Sequence, residues 1–288
     1  MAFTIPSRLR AGCHEKPERT SWLARLPEIV TGLERRWSLT LGEPFPSDDG
    51  SSAWVAPVTL AGGAPAVLKV SLPHLESAHE IDGLRFWNGD PMVRLLEADS
   101  DAAAMLLERC EPGTALRSEP ESEQDRVIAH LLRRAWRTPV APHTFPSLAT
   151  MTAHWSSETL AAAEHWPDAG LVREGLQLLR ELPQSASEDV LLVTDLHAGN
   201  VLRAQRVPWL GIDPKPLVGE PAYDATQHLL NCVTRLRSDP DRTIRHFADL
   251  LGVDAERVRL WTFARAAAGP RDDWTNDSHF ELARRIAP

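Results

Sequence analysis

Two carboxylates and one amide stand at the ends of short apolar segments in the second half of the sequence. Asp195 and Asn200 lie in the loop that follows the apolar run 190–193, and Asp213 ends the apolar run 209–212. Phosphoryl transfer needs this set, because one carboxylate orients the acceptor hydroxyl and takes its proton, while a second carboxylate and an amide hold Mg²⁺ across the ATP phosphates. These residue types at these places predict a phosphotransferase centre that uses ATP and Mg²⁺.

A surface turn is the alternative interpretation of Asp195 and Asn200, since both residue types are common in turns. Their spacing argues against it, because the loop is long enough to turn back and point both side chains at the same phosphates. Lys69, within the apolar run 66–70, adds a cation upstream, although a lysine at the edge of a sheet is its ordinary interpretation. Together with Asp213, this lysine favours the phosphotransferase.

The elements that must position these residues change in character near residue 108. Before it, residues 21–37 show helical spacing, 39–70 alternate short β-type runs with turns, and 73–87 predict a second helix. Behind a loose leader over 1–20, strands are also predicted over 92–96 and 104–107. After residue 108 the pattern is helical between the short apolar runs, with helices predicted over 121–137, 150–165, 169–182, 224–236, 241–251, 255–268 and 279–286.

Composition excludes several classes of function. The chain has 288 residues, is 43% hydrophobic and carries a net charge of −9, which argues against a nucleic-acid partner and suits a cationic small-molecule substrate. Its three cysteines are widely separated and predict neither a zinc site nor a disulfide framework. No run approaches the roughly 18 apolar residues that span a bilayer, and no secretory signal is visible. We therefore expect a cytoplasmic monomer without a membrane partner.

Three strings carry a resemblance to a known family. DLHAGN at 195–200 and IDPKPLVGEPAYD at 212–224 resemble motifs of the aminoglycoside phosphotransferase family, which has the protein-kinase-like fold. The second string, together with MLLERCEPGTAL at 105–116, most resembles the streptomycin and hydroxyurea phosphotransferase branch. The resemblance covers roughly residues 25–270.

The resemblance implies an α+β fold of two lobes. A β-rich N-lobe would occupy residues 1–107, a hinge 108–113, and a mainly helical C-lobe 114–288. It further implies that an enzyme of this type transfers the γ-phosphoryl group of ATP, or of GTP as an alternative donor, to a hydroxyl of an aminoglycoside. Streptomycin is the acceptor that the branch suggests.

Residues of the C-lobe receive roles from the resemblance position by position. Asp195 would be the catalytic aspartate, and Asn200 and Asp213 the magnesium ligands. Asp224, at the start of a predicted helix, would brace the catalytic loop, although capping of that helix explains it equally. His197 lies inside the loop, where a scaffolding role is favoured over a phosphate contact.

Residues of the N-lobe and hinge would bind the nucleotide. Lys69 would hold the α- and β-phosphates, and Glu80 would pair with it, with Glu76 one helical turn earlier as the alternative. Backbone groups of Glu108 and Cys110 would contact adenine.

Two departures from the family pattern concern the loops. Val193 stands where the family usually has a histidine two residues before the catalytic aspartate, which puts the rigidity of the loop in question. The phosphate-covering segment 47–52 has a single glycine and no GxGxxG pattern, so only the backbone N–H groups of Ser51 and Ser52 are candidates to cradle phosphate.

The acceptor is less well defined than the donor. A cationic acceptor needs carboxylates, and the candidates, besides the alternative of a solvated loop, are Glu220, Asp272, Asp273 and the neighbouring Trp274. Other acceptors remain open, namely hydroxyurea, a sugar or a choline-like amine. A pseudokinase that binds nucleotide without transfer is a further alternative, motivated by Val193 and the irregular phosphate segment.

Overall fold

A computed structural model describes residues 3–13, 17–46, 52–72, 75, 78–271, 274 and 277–288. The chain divides into two compact units, unit 1 being Met1–Gly113 with Ala204–Pro208 and unit 2 being Thr114–Arg203 with Trp209–Pro288. Residues 204–208 group with unit 1 because the guanidinium of Arg206 donates to both carboxylate oxygens of Glu108 over 2.9 Å. Sequence patterning did not indicate this contact.

Unit 1 is built on a five-stranded antiparallel sheet with the order β1-β2-β3-β5-β4. In β2 every second residue is buried, which places Trp54, Ala56 and Val58 in the core as the two-residue period of a strand requires. The strands are β1 (Thr40–Leu41), β2 (Ala53–Thr59), β3 (Pro65–Ser71), β4 (Leu95–Asp99) and β5 (Ala104–Glu108). β4 lies about three residues later than the sequence pattern predicts.

Three helices complete unit 1, namely α1 (Ser7–Cys13), α2 (Pro17–Arg36) and α3 (Glu80–Trp87). The loose leader predicted over residues 1–20 is wrong for its described part. Leu9 and Cys13, four residues apart on one face of α1, are buried in the core that backs the sheet. Two apolar residues are too few to reveal so short a helix by periodicity.

Unit 2 is mainly helical, and α10 is buried along most of its length, including Trp261 and Phe263. The helix predicted over 224–236 is interrupted at Cys232, where one helix ends and the next begins. Within the described part of the chain, no helix is both long and apolar enough to cross a membrane. The helices are α4 (Glu121–Ala135), α5 (Leu148–Ala161), α6 (Ala169–Glu181), α7 (Pro221–Asn231), α8 (Val233–Ser238), α9 (Pro240–Leu251), α10 (Ala255–Ala268) and α11 (Asp277–Ile286).

Two short antiparallel pairs in unit 2 position the motif residues. Strand β6 (Val190–Leu192) pairs with β9 (Leu217–Gly219), and β7 (Val201–Arg203) pairs with β8 (Trp209–Gly211). The loop 193–200 joins β6 to β7, and the segment 212–216 joins β8 to β9. Because both loops connect the same two strand pairs, they are held side by side. Strand β9 was not predicted, since three residues directly after a proline give no periodic signal.

A buried charge cluster ties α4, α7 and α8 together. His228 Nε2 lies 2.8 Å from Asp125 Oδ1, and Arg235 donates to both oxygens of the same carboxylate over 2.7 and 2.8 Å. Burial opposes ionisation of Asp125, but the hydrogen bonds from His228 and Arg235 outweigh it and lower its pKa to about 2. Burial likewise lowers the pKa of His228, yet its bonds to Asp125 and Cys232 leave that pKa above the usual value.

We expect the free energy of unfolding to fall as pH rises above 6.5, the ordinary histidine value from which the pKa of His228 is raised. A histidine whose folded pKa is raised contributes stability fully below its unfolded pKa, near 6.5, and loses that contribution as pH rises through the folded value. Asp125→Asn should remove this slope and lower the free energy of unfolding by about 3–5 kcal/mol, because it breaks a buried ion pair. Chemical denaturation at several pH values between 6 and 9 measures both. Glu123→Gln, on the exposed side of α4, is the control and should keep the slope.

Candidate active site

One buried carboxylate holds the backbone directly before Asp195. Asp224 Oδ2 accepts a hydrogen bond from the Val193 N–H over 2.9 Å, and Oδ1 accepts one from the Thr194 N–H over 2.7 Å. The indole N–H of Trp136 donates to Oδ2 over 2.9 Å. Complete burial raises the pKa of Asp224 to about 6, although all three hydrogen bonds act in the opposite direction. The side chain thus lies where a brace of the loop must lie.

The same loop has an unusual backbone conformation. Thr194 has a φ of 57°, and Asp213 in the neighbouring segment has a φ of 55°. The left-handed region is rare for a β-branched residue and costs on the order of 1–3 kcal/mol. Thr194 is held there because its hydroxyl donates to the carbonyl of Lys215, while the Lys215 N–H donates to the Val193 carbonyl over 3.0 Å. These bonds supply rigidity to the loop that contains Val193.

Both oxygens of the Asp195 carboxylate have partners within unit 2. The Gln227 amide nitrogen donates to Oδ1 over 2.7 Å, and the Lys215 ammonium lies 2.8 Å from Oδ2. The side chain of Asp195 keeps 14% of its exposure. A carboxylate that is oriented on both sides and still accessible can accept a hydrogen bond from a substrate hydroxyl.

Asn200 directly precedes β7, and Asp213 lies two residues after the end of its partner strand β8. The Ile212 N–H donates to the Asn200 carbonyl over 2.9 Å, which fixes the two segments against each other. The Asn200 amide nitrogen donates to the Asp195 carbonyl over 3.0 Å, so its amide oxygen points away from that bond. An amide oxygen and a carboxylate are hard ligands of the type that Mg²⁺ prefers together with phosphate oxygens. In the described residues no cluster of three or more His, Cys, Asp or Glu side chains forms a metal site.

His197 stabilises the turn of the loop. Its Nδ1 accepts the Gly199 N–H over 3.0 Å, and its carbonyl accepts the Asn200 N–H over 2.8 Å. Burial lowers the pKa of His197, against the opposing effect of Asp195. A Cβ at Gly199 would lie 2.8 Å from the His197 ring and closer still to the flexible end of Arg117, so a side chain there would require both to shift. These contacts fit a scaffold.

Within unit 1, Lys69 and Glu80 form a buried ion pair. The Lys69 ammonium lies 2.6 and 2.8 Å from the two Glu80 oxygens, and the two side chains keep only 9% and 3% of their exposure. Strand β3 supplies the lysine and the first turn of α3 supplies the glutamate. The alternative partner Glu76 lies outside the described residues, as does Ser51. Ser52 precedes β2, and its carbonyl accepts the N–H of Leu72 over 2.7 Å.

The side chains of the predicted hinge are occupied by structural contacts. Glu108 accepts hydrogen bonds from Arg206 and from the Arg94 N–H, which outweigh the effect of burial and lower its pKa. Burial raises the pKa of the Cys110 thiol to about 11, which keeps it protonated at neutral pH. The contact of backbone groups of Glu108 and Cys110 with adenine stays a prediction.

Two of the predicted substrate residues are wrong. Glu220 is only 6% exposed, and its carboxylate accepts hydrogen bonds from Arg257, over 2.8 and 3.1 Å, and from the indole of Trp261. Burial raises the pKa of Glu220, and Arg257 acts against that rise. Trp274 is also 6% exposed and packs beside Arg271, 4.7 Å from its ring centroid. The other candidates, Asp272 and Asp273, lie outside the described residues.

Sequence reasoning missed Lys215 and Gln227, the two partners of the Asp195 carboxylate. One compositional signal pointed to the lysine: of 31 basic residues besides histidine, 28 are arginine and only Lys16, Lys69 and Lys215 are lysine. A lysine that persists in so arginine-rich a chain indicates a need for a compact ammonium rather than a planar guanidinium. Gln227 has no such signal, because its contact depends on the tertiary fold.

Comparisons with known proteins identify the family of the chain. A family model described as aminoglycoside/hydroxyurea antibiotic resistance kinase matches residues 36–274. Streptomycin 6-kinase of Streptomyces glaucescens is 37% identical over 258 residues, covering 86% of this chain and 83% of that one. Hydroxyurea phosphotransferase of Kitasatospora aureofaciens is 36% identical over 246 residues, covering 83% and 71%.

The fold is shown by solved structures. A choline kinase from Streptococcus pneumoniae superposes with a TM-score of 0.62 at 11% identity, covering 91% of this chain and 97% of that one. This likeness confirms the predicted α+β fold of the protein-kinase-like class, with a β-rich first part and a helical second part.

Proposed function

The chain belongs to the aminoglycoside/hydroxyurea antibiotic resistance kinase family, and from this membership we propose that it transfers the γ-phosphoryl group of ATP to a hydroxyl of streptomycin. Its relatives are named as kinases and phosphotransferases, and the chain is a phosphotransferase of that kind. The observation that carries the proposal is the Asp195 carboxylate, oriented by Gln227 and Lys215 over 2.7 and 2.8 Å and still accessible.

Residues of unit 2 perform the proposed transfer. The acceptor hydroxyl donates a hydrogen bond to Asp195, and its oxygen attacks the γ-phosphorus in line with the bond to the β-phosphate. The new O–P bond forms as the bridging P–O bond breaks, ADP leaves, and the hydroxyl proton passes to Asp195. Asn200 and Asp213 are the proposed ligands of Mg²⁺, which when bound neutralises charge on the phosphate oxygens.

Residues of unit 1 bind the nucleotide in this proposal. Lys69 contacts the α- and β-phosphates, and Glu80 fixes the lysine through the buried ion pair. ATP is the proposed donor, with GTP as the alternative. The full proposed set is Lys69, Glu80, Ser51, Ser52 and the backbone groups of Glu108 and Cys110.

The proposed acceptor is a cation, in agreement with the net charge of −9. With Glu220 and Trp274 buried, Asp272 and Asp273 remain the proposed carboxylates for its guanidinium groups. Hydroxyurea is the second candidate, because its phosphotransferase is 36% identical to this chain, against 37% for the streptomycin 6-kinase. We place the reaction in the cytoplasm, where ATP is available.

A direct transfer assay tests the proposal. The purified chain is incubated with γ-labelled ATP and Mg²⁺ and with streptomycin, hydroxyurea or choline. We expect labelled streptomycin, with a kcat/KM at least about tenfold above that for the other two acceptors. Of the three, only streptomycin has the guanidinium groups that Asp272 and Asp273 are proposed to bind. If hydroxyurea were the only acceptor labelled, it would replace streptomycin as the assigned acceptor. Nucleotide binding without transfer to any of the three would favour a pseudokinase.

A further inference from the structure

A series of side chains outside the predicted site leads to one oxygen of Asp195. The Gln227 amide nitrogen donates to Asp195 Oδ1 over 2.7 Å, and the Arg265 Nη2 donates to the Gln227 amide oxygen over 2.6 Å. The first contact joins residues 32 positions apart and the second joins residues 38 apart. The series therefore exists only when α7, α10 and the catalytic loop are packed together.

Arg265 determines which way the Gln227 amide points. A glutamine amide has an accepting oxygen and a donating nitrogen, whereas a guanidinium can only donate. The oxygen must therefore face Arg265, and this turns the nitrogen toward Asp195. The reversed amide would place its oxygen against the Asp195 carboxylate and its nitrogen against the guanidinium, so two hydrogen bonds would be lost at once.

Arg265 is itself fixed in place. Its Nη1 donates to the Thr226 hydroxyl over 2.6 Å, and its guanidinium carbon lies 5.1 Å from the centroid of the Tyr223 ring. Thr226 is fully buried and Tyr223 is 2% exposed, so neither partner has room to move. A rigid donor at this place can hold the orientation of the amide beside it.

Helix α7 carries two separate supports of the catalytic residue. Asp224 holds the backbone before Asp195, and Gln227, three residues later on the same helix face, holds the carboxylate. Lys215 contacts the other carboxylate oxygen over 2.8 Å. Without Gln227 the carboxylate would be held on one side only and would turn about its Cβ–Cγ bond toward Lys215.

We propose that Gln227 and Arg265 are positioning residues of the transfer reaction, in which Arg265 aims the Gln227 amide and the amide sets the rotation of the Asp195 carboxylate. This inference rests on the proposed function. A neutral amide suits the task, because it orients the carboxylate without placing a second positive charge beside it. Errors of about 1 Å in the placement of a reacting group reduce rates on the order of 10²-fold.

Gln227→Met tests the first step of the relay, because methionine keeps the length of the side chain and removes the donor. We expect kcat to fall about 30- to 100-fold, while the KM and the dissociation constant for MgATP stay within about threefold of the wild type. Gln177→Met is the matched control. The Gln177 amide also donates to a carboxylate, that of Glu181 over 3.0 Å, but on the exposed surface of α6, and this variant should keep the wild-type kcat.

A double-mutant cycle tests the second step. If Arg265 acts through Gln227, Arg265→Met lowers kcat to a similar degree, and the double variant is no slower than the slower single variant. Arg265→Met also removes the contacts with Thr226 and Tyr223, so thermal unfolding is followed in parallel and rates are compared at temperatures where all variants are folded. The inference would be overturned if the fold-losses in kcat of the two single variants multiplied in the double variant. It would also be overturned by a Gln227→Met kcat within threefold of the wild type, or by an effect on KM alone.

Measurements on the wild-type protein distinguish a failure of this inference from a failure of the proposed function. Absence of transfer to streptomycin by the wild type would reject the acceptor, and the variants are then compared by the slow transfer to water, measured as ADP release without acceptor. Wild-type transfer to streptomycin that the Gln227→Met substitution leaves unchanged would reject only the relay.

Discussion

Asp195→Asn is expected to reduce kcat for transfer by at least about 10³-fold, at the upper end of what a general base contributes. The amide cannot take the acceptor proton. It also places an NH₂ group against one of two donors, the Gln227 amide nitrogen at 2.7 Å and the Lys215 ammonium at 2.8 Å. Both the chemistry and the orientation of the side chain are lost together. ADP release in the presence of acceptor, measured at saturating MgATP, gives the effect on kcat.

Nucleotide binding distinguishes this loss from a general disruption of the site. Asp195→Asn should bind MgATP about as tightly as the wild type, whereas Asp213→Asn should weaken Mg²⁺-dependent binding, since it removes a proposed metal ligand. Titration calorimetry with and without Mg²⁺ measures both. Asp249→Asn, on the exposed face of α9, serves as the unperturbed control. Activity of Asp195→Asn within tenfold of the wild type would refute the assignment of the base.

Asp224→Ala is expected to have the largest effect on stability. It leaves three donors without an acceptor, namely the buried N–H groups of Val193 and Thr194 and the partly buried indole N–H of Trp136. An unsatisfied buried donor costs about 1–3 kcal/mol, so the variant should lose several kcal/mol and melt roughly 10 °C or more below the wild type. Transfer should also fall, because the N–H groups of Val193 and Thr194 lose the acceptor that holds the backbone before Asp195. Asp189→Ala is the matched control, because Asp189 is exposed and lies directly before β6, the strand that leads into the same loop.

The contribution of Asp224 to stability is expected to change with pH in one direction. The folded pKa of Asp224, about 6, lies above the ordinary aspartate value of 3.8. A raised folded pKa contributes stability that is fully present below pH 3.8 and is lost as pH rises through about 6. The stability advantage of the wild type over Asp224→Asn should therefore shrink between pH 4 and 6 and stay constant above. An advantage that grows with pH in this window would contradict the burial argument.

The candidate site residues that lie close together in the sequence could be predicted from it. Asp195, Asn200 and Asp213 lie within two short strings, and the ends of apolar runs place them in neighbouring loops. The Lys69–Glu80 contact spans 11 residues and joins a strand to the next helix. Residue type and spacing were sufficient for Asp195, Asn200 and Asp213, whereas the pairing of Lys69 with Glu80 was predicted from the family resemblance, with Glu76 as the alternative.

Tertiary contacts between helices that are distant in the sequence could not be predicted from it. The sequence predicts Glu220 to be a carboxylate available to a substrate, but its carboxylate is paired with Arg257, 37 residues away. Gln227 and Arg265 are unremarkable residues of two amphipathic helices, and only packing brings their polar ends to Asp195. The left-handed conformation of Thr194 is equally hidden, because local preference opposes it and long-range hydrogen bonds impose it.

The scarcity of lysine makes the chain well suited to chemical footprinting. Amine-reactive reagents have only three lysine side chains to acylate, and the two described ones, Lys69 and Lys215, are 9% and 30% exposed and paired with carboxylates. Acylation mapped by mass spectrometry would thus report on the occupancy of the candidate site. Lys215 should react faster than Lys69, and the degree to which nucleotide or acceptor shields each amine would show which ligand approaches it.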